Sequence, residues 1–198
     1  MKNPKILILL LAVTTMAFAG KRPMTASTTQ SFVKTDTMPD ICAVVTPREI
    51  DSLHIYTNRL TKSYPEPDPV EGFNACYYEF YDRDYPSLSV QLMKCETKQQ
   101  AGDIFRMHME RDHEAWGSSP ERLLHIADSA CFTQHPKCSD KCFEAVMLVV
   151  SGRYVIWVNF RGQDNTLRDR LKWAALKIVQ MLFDRIPGLA PQMIRNKQ

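Results

Sequence analysis

The stretch FEAVMLVVSGRYVIWVNF, residues 143–160, decides the fold. Both of its halves are rich in Val, Ile and aromatic side chains, which favour β-strands. Ser151-Gly152 lies between the halves, and glycine readily takes the positive φ that a two-residue hairpin turn requires. The stretch therefore predicts a β-hairpin that belongs to an antiparallel sheet.

More strands are predicted upstream of this hairpin. NACYYEFYD (74–82) and LSVQLMKC (88–95) are joined by a loop that contains Pro86, which is typical of a hairpin with a longer connection. A further strand is predicted near residues 129–133, after the ambiguous segment PERLLHIADSA (120–130).

Three helices are predicted from their start signals and apolar spacing. Thr46 and Glu49 form a capping-box pattern with Pro47 in the first turn, and the apolar spacing continues to about Ser63. The pair Thr97 and Gln100 begins a helix over 98–116 in the same way. The last helix covers about 166–185 and stops before Pro187-Gly188.

The predicted order of elements is α-β-β-α-β-β-β-α. Because hairpins join most of the strands, the sheet should be mainly antiparallel. Helices packed on one face of such a sheet give a single two-layer α+β domain.

The last hairpin carries apolar residues on both of its faces, whereas a one-sided sheet should be polar on its outer face. The protein's own loop or leader could cover the second face, and so could a ligand or partner. The hypothesis is a surface for an unknown protein or a small apolar ligand, formed by Val146, Leu148, Val155 and Trp157 and extended by Tyr77 and Tyr81.

The first residues read as an export signal. Lys2 and Lys5 precede an apolar run that ends in Ala17-Phe18-Ala19, the pattern of a secretory signal peptide. The expected organisation is a signal peptide over 1–19, a disordered leader over 20–39, the α+β domain over 40–187 and a flexible tail over 188–198. A secreted or periplasmic location is expected, with no stable membrane anchor after cleavage.

The net charge and the motifs of the chain restrict the range of functions that we expect. Two of the 25 Lys and Arg residues precede the cleavage point, which leaves 23 basic against 22 acidic residues and no basic run, so nucleic acid is not an expected partner. No catalytic serine motif and no glycine-rich phosphate loop occurs. We therefore expect a non-catalytic interaction or ligand-binding module without a cofactor.

Six cysteines follow the predicted cleavage point: Cys42, Cys76, Cys95, Cys131, Cys138 and Cys142. An even number in an exported chain predicts disulfides that reinforce a hydrophobic core. Spacing leaves the pairing open, and a bridge from Cys76 to Cys95 across the first hairpin is geometrically possible.

The chain resembles a family of uncharacterised secreted domains that are common as actinobacterial lipoproteins. The resemblance rests on PDICAVVTPREI (39–50), CYYEFYD (76–82), IADSACF (126–132) and VSGRYVIWVNF (150–160). It implies an exported α+β domain with a disulfide from Cys42 to Cys76, and it implies no activity. Cys95 would then pair with one of Cys131, Cys138 and Cys142, and the remaining two would pair with each other.

A metal-binding protein of the cell envelope, for copper or zinc, is the alternative. HPKCSDKC (135–142) places a histidine and two cysteines close together, and MHMERDH (107–113) places Met and His on one helix. The first cluster lacks a fourth ligand. On the helix, Met109 and His113 share one face and His108 and Asp112 an adjacent one, so the four side chains do not converge. Disulfides and an amphipathic helix are the favoured interpretations.

Overall fold

The computed structural model describes residues 38–56, 59–65, 73–80, 86–117, 119–139, 142–162 and 168–191. The predicted signal peptide and most of the leader lie outside these ranges. The helices and strands are α1 Ile41–Val44, α2 Pro47–Ser52, β1 Leu60–Pro65, β2 Phe73–Phe80, β3 Ser87–Lys94, α3 Lys98–Trp116, β4 Glu121–Arg122, β5 Ser129–Ser139, β6 Cys142–Ser151, β7 Tyr154–Gly162 and α4 Arg168–Arg185.

The strands form one seven-stranded sheet in the order β1-β2-β3-β7-β6-β5-β4, and every neighbouring pair is antiparallel. The predicted hairpin of residues 143–160 is β6 and β7, with Ser151 opposite Tyr154. Its turn is Gly152-Arg153, one residue later than predicted, and Gly152 has a φ of 60°. The α+β class and the antiparallel sheet are confirmed.

The first face of the sheet holds the larger hydrophobic core. Alternate residues of the strands, among them Tyr78, Val90 and Phe160, are buried there against α1, α2 and α4. The apolar stripe of α4 contributes Leu171, Ala174, Ala175, Ile178, Val179 and Leu182, all at most 1% exposed. This stripe repeats every three to four residues, as a helix lying on a sheet requires.

The second face of the sheet carries α3, so the helices are divided between the two faces. Ala101 and Ile104 of α3 are buried together with Met93, Leu148 and Val155 in a smaller hydrophobic cluster. The expected arrangement had all helices on one face. The structure differs because the alternate residues of β5, β6 and β7 are apolar on both sides, and both sides need a helix to cover them.

Three elements are additional to the predicted order: α1, β1 and β4. The first predicted helix is also shorter than expected. It ends at Ser52, and His54 takes a φ of 48°, which is incompatible with a continuing right-handed helix. The chain then forms β1 where helical spacing had predicted the helix to continue.

The predicted capping box at Thr46 forms, whereas at Thr97 one half of the box forms and the Gln100 side chain bonds one residue earlier, to Glu96. The Thr46 backbone N–H and hydroxyl donate to Oε2 of Glu49 at 3.0 and 2.8 Å. The Gln100 N–H donates to the Thr97 hydroxyl at 3.0 Å, and the Gln100 side chain accepts from the Glu96 N–H at 2.8 Å. Each arrangement satisfies backbone donors that the first turn of a helix otherwise leaves unpaired.

Ion pairs connect α4 to α2 and to β4 at the edge of the sheet. Arg185 pairs with Glu49 of α2 and donates to the Val44 carbonyl at 2.5 Å. Lys172 and Arg168 both pair with Glu121 of β4, the second at an N–O distance of 3.2 Å. The last helix thus holds the first helices and the last strand of the sheet order.

Replacing Glu49 with Gln should make the free energy of unfolding depend less on pH in the acid range below about pH 4.5. The hydrogen bond from Arg185 lowers the pKa of Glu49 from 4.5 to about 2. A carboxylate with a lowered pKa contributes stability above its unfolded pKa and loses this contribution as the pH falls through its folded pKa. The contribution should be about 1–2 kcal/mol after allowance for solvent exposure.

The measurement is urea unfolding of the wild type and of Glu49→Gln at pH 7 and at several values between pH 4.5 and pH 2. The difference between the two proteins should shrink across this interval. A constant difference would show that the Glu49 carboxylate is not the group that titrates. Arg48→Gln, an exposed residue of the same helix, is the control.

The compact domain extends past Pro187, where the tail was expected to begin. Leu189 is fully buried, and its carbonyl accepts a hydrogen bond from Ser151 Oγ at 2.6 Å. Within the part of the chain that the structure describes, no helix is long and apolar enough to cross a membrane.

Candidate functional site

Strand register places the predicted surface residues on the second face of the sheet. Tyr77 pairs with Ser89, Ser89 with Asn159, and Asn159 with Val146, which forms one row across four strands. Trp157 and Leu148 pair in the next row. Tyr81 lies outside the described residues.

Helix α3 covers part of this predicted surface. Leu148 is 4% exposed and Val155 is fully buried, both in the cluster beneath α3. They are core residues and cannot line an open surface, which corrects the expectation for these two. The apolar character of the second face is explained here by the protein's own helix, because α3 needs an apolar surface on which to pack.

The other described residues of the predicted surface are half-buried, and of these Trp157 contacts α3. Tyr77 stacks on Tyr64 with ring centroids 5.6 Å apart, and Trp157 meets His108 of α3 edge-on at 5.3 Å. Val146 is also half-buried. Their role as a partner surface stays a prediction.

Two buried polar atoms lie on this face, Nε1 of Trp157 and Oδ1 of Asn159. Neither has a hydrogen-bond partner within the described ranges. The amide nitrogen of Asn159 donates to Oε1 of Glu144 at 2.7 Å, which fixes the orientation of that side chain. Buried polar atoms are usually paired, so this donor and acceptor mark a polar spot within the second face.

The cysteines form the disulfide that the family resemblance implied. Cys42 and Cys76 are bonded, with their Cα atoms 5.1 Å apart. The alternative bridge from Cys76 to Cys95 is therefore excluded. Cys95 is a buried thiol, and burial raises its pKa to about 11.

The expected bridges of Cys95 and Cys131 are wrong. Cys95 follows β3 and Cys131 lies in β5, three strand spacings apart, which is about 14 Å, whereas bridged Cα atoms lie within about 7 Å. Cys131 pairs with Leu148 and Cys142 with Ser139, so Cys131 and Cys142 are about 20 Å apart along the strands. The same register leaves the alternative bridge between Cys138 and Cys142 open.

The metal alternative gains no support. Among the described residues, no group of three or more His, Cys, Asp and Glu side chains could hold a metal ion. His135 is not a loop residue as expected: it is 3% exposed and pairs with Glu144 within the sheet. The side chains of Cys138, Cys142, Asp112 and His113 lie outside the description.

A cleft of about 450 Å³ lies between α3 and residues 122–130. One wall is α3, with Gly102, Phe105, Arg106 and Met109. The other wall is the end of β4, the following turn and the start of β5. This cleft was not predicted from the sequence.

Local hydrogen bonds hold the second wall in place. The Leu123 N–H donates to the Ala130 carbonyl at 2.9 Å, which closes the chain between β4 and β5. Asp128 accepts a hydrogen bond from the Gly152 N–H at 2.8 Å, which ties this wall to the turn between β6 and β7. His125 takes a φ of 66° and reverses the chain between these points.

The cleft is mainly apolar. Its apolar residues are Phe105, Met109, Leu123, Leu124, Ala127 and Ala130. Leu124 is 75% exposed, an unusual state for a large aliphatic side chain. In the sequence, the adjacent Leu123 and Leu124 of PERLLHIADSA were the available signal for this cleft. That they lie opposite α3 could be seen only in the folded structure.

Comparison with known proteins gives a likeness of fold. The extracellular domain of PknH from Mycobacterium tuberculosis matches with a TM-score of 0.51 at 11% sequence identity, and the alignment covers 79% of this chain and all of that domain. No family model and no curated protein matches the chain. An actinobacterial secreted domain, as the sequence resemblance suggested, is compatible with this finding.

Proposed function

We propose that the protein is an exported, non-catalytic module that binds a small apolar ligand in the cleft between α3 and residues 122–130. The observation that carries the proposal is the cleft itself. Its volume of about 450 Å³ lies in the range of small-molecule sites, and its walls are mainly apolar with a few polar groups.

Export is supported by two independent features. The Cys42–Cys76 disulfide persists in oxidising compartments and is unusual in the cytosol. The structural neighbour is an extracellular domain, so the same fold occurs outside a cell. Both features agree with the signal peptide that the sequence predicts.

The polar groups of the cleft support binding more than catalysis. His125, Asp128 and Ser129 all line it, and these residue types can form a nucleophilic site. In the described structure no hydrogen bond joins His125 to either of the other two, and Asp128 is engaged with the Gly152 N–H. Among the described residues, no base is hydrogen-bonded to Ser129.

Replacing Gly102 with Leu should block the cleft. A Cβ at Gly102 meets no atom within 4 Å, so a larger side chain extends from α3 into open space. Leucine is a good helix former, which separates filling of the cleft from damage to the helix. The binding of Nile red, a neutral apolar dye, should be saturable in the wild type and about tenfold weaker or lost in Gly102→Leu.

Gly102→Ala is the matched control. It adds only one carbon and should keep dye binding, while it raises the free energy of unfolding by about 1 kcal/mol through helix propensity. Fluorescence titration and urea unfolding measure the two effects. Equal dye affinity in the Leu and Ala variants would refute the cleft as the ligand site.

A further inference from the structure

The charged side chains around the cleft differ in whether they have an ion-pair or hydrogen-bond partner. Arg106 pairs with Asp103 at 2.5 Å, one turn earlier on α3. Asp128 accepts the Gly152 N–H. Arg122 is exposed, and within the described ranges it has no ion pair or hydrogen bond from its side chain. Of the two arginines that line the cleft, Arg122 is thus the one whose charge no described side chain compensates.

Alternation along β4 explains why Arg122 is left without a carboxylate. Glu121 pairs in register with Phe132 of the first core, and its carboxylate is held by Lys172 and Arg168 of α4. Arg122 pairs with Cys131, whose side chain lies in the cluster under α3. Successive strand residues point to opposite faces, so the adjacent Glu121 is directed away from Arg122.

An apolar wall beside an uncompensated guanidinium is complementary to an amphipathic anion. Arginine presents donors in a planar fork that matches the two oxygens of a carboxylate. Phe105, Met109 and Leu124 offer the surface against which an aliphatic chain can be removed from water. A neutral apolar ligand would use the wall and leave Arg122 unused.

We infer that the cleft binds aliphatic carboxylates and that Arg122 is the residue that receives the carboxylate. This inference rests on the proposed function, because it names the ligand class of the same cleft. Asp128 lies on the same wall and would repel a carboxylate. Selectivity for carboxylates therefore depends on the carboxylate binding at the β4 end of the cleft, where Arg122 lies.

Competition against Nile red tests the inference with two ligands of matched chain length, octanoate and 1-octanol. In the wild type at neutral pH and constant low salt, octanoate should displace the dye at about one tenth of the octanol concentration, the ratio expected for one charge-assisted interaction. In Arg122→Gln the two ligands should displace the dye at similar concentrations. Arg48→Gln, on α2 and remote from β4, should behave as the wild type.

The outcomes separate the ligand class from the binding function. If octanol and octanoate compete equally in the wild type, selectivity for carboxylates is refuted and binding of apolar ligands stands. If octanoate keeps its advantage in Arg122→Gln, or loses it in Arg106→Gln alone, Arg122 is not the anchor. If neither ligand displaces the dye and Gly102→Leu binds it as well as the wild type, the proposed function itself fails.

Discussion

Replacing both Cys42 and Cys76 with Ala is expected to lower the free energy of unfolding by about 4 kcal/mol. The bridge joins residues separated by 34 positions, and cross-linking so long a segment removes much of the conformational freedom of the unfolded chain. Cys76 is also fully buried in the first core, so its truncation removes packing contacts there. The bond fixes α1 to β2, which brings the start of the described domain onto the sheet.

Urea unfolding of the oxidised wild type, the reduced wild type and the double variant measures this effect. Reduction should destabilise the wild type by a similar amount and the double variant by much less. Cys95→Ala is the control, since Cys95 carries a buried thiol and forms no bridge. If the oxidised wild type and the double variant unfold at the same urea concentration, the disulfide does not stabilise the domain.

Replacing Phe160 with Ala should cost about 3–5 kcal/mol, the range for removing a buried aromatic side chain. Phe160 is fully buried and lies between Leu88 of β3 and Ala145 of β6 in the sheet register. The residue of β6 directly opposite Phe160 is only an alanine, so no large side chain at that position can fill the cavity. The surrounding core therefore relaxes only partly.

Phe160→Leu is the graded control, since it keeps most of the side-chain volume and should cost less than about 1.5 kcal/mol. Urea midpoints at constant slope give the two differences. Similar losses in both variants would indicate that the shape of the ring matters more than the cavity. A loss below 1 kcal/mol in Phe160→Ala would contradict the position of Phe160 in the core.

Elements with local signals were predictable from the sequence. Alternating apolar residues and the glycine turn predicted β6 and β7, and the capping residues Thr46 and Thr97 marked the starts of α2 and α3. These signals depend only on residues that are close along the chain, so they can be recognised in the sequence alone. The edge strand β1, with four polar or charged positions among LTKSYP, and the two-residue β4 carry no such signal.

Long-range arrangement was harder to predict. The apolar stripe of α3 shows that the helix packs on something, but it does not show which face of the sheet receives it. For the same reason the six cysteines could be counted but not paired, because the distance from Cys95 to Cys131 depends on the order of four strands. The Cys42–Cys76 bridge came from a family resemblance and not from spacing.

The candidate site shows the same limit. Strand register puts Trp157, Tyr77 and Val146 on a common face, and such alternation is a local property that the sequence carries. The cleft was missed, because its two walls are α3 and the β4–β5 segment, which approach each other only in the folded chain. Arg122 could be identified as a candidate ligand-binding residue only from the structure. There the neighbouring carboxylate of Glu121 pairs with Arg168 and Lys172 on the opposite side of β4.

The strand order 1-2-3-7-6-5-4 divides the sheet into two meanders of sequence neighbours, joined where β3 pairs with β7. Within each meander the paired residues are close along the chain. At the junction Ser87 pairs with Arg161 and Lys94 with Tyr154, across the whole segment that includes α3. Most of the entropic cost of loop closure therefore falls on the single pairing of β3 with β7. Contacts between residues distant in sequence slow folding. We therefore expect the pairing of β3 with β7, after two locally assembled halves, to be the slow step of folding.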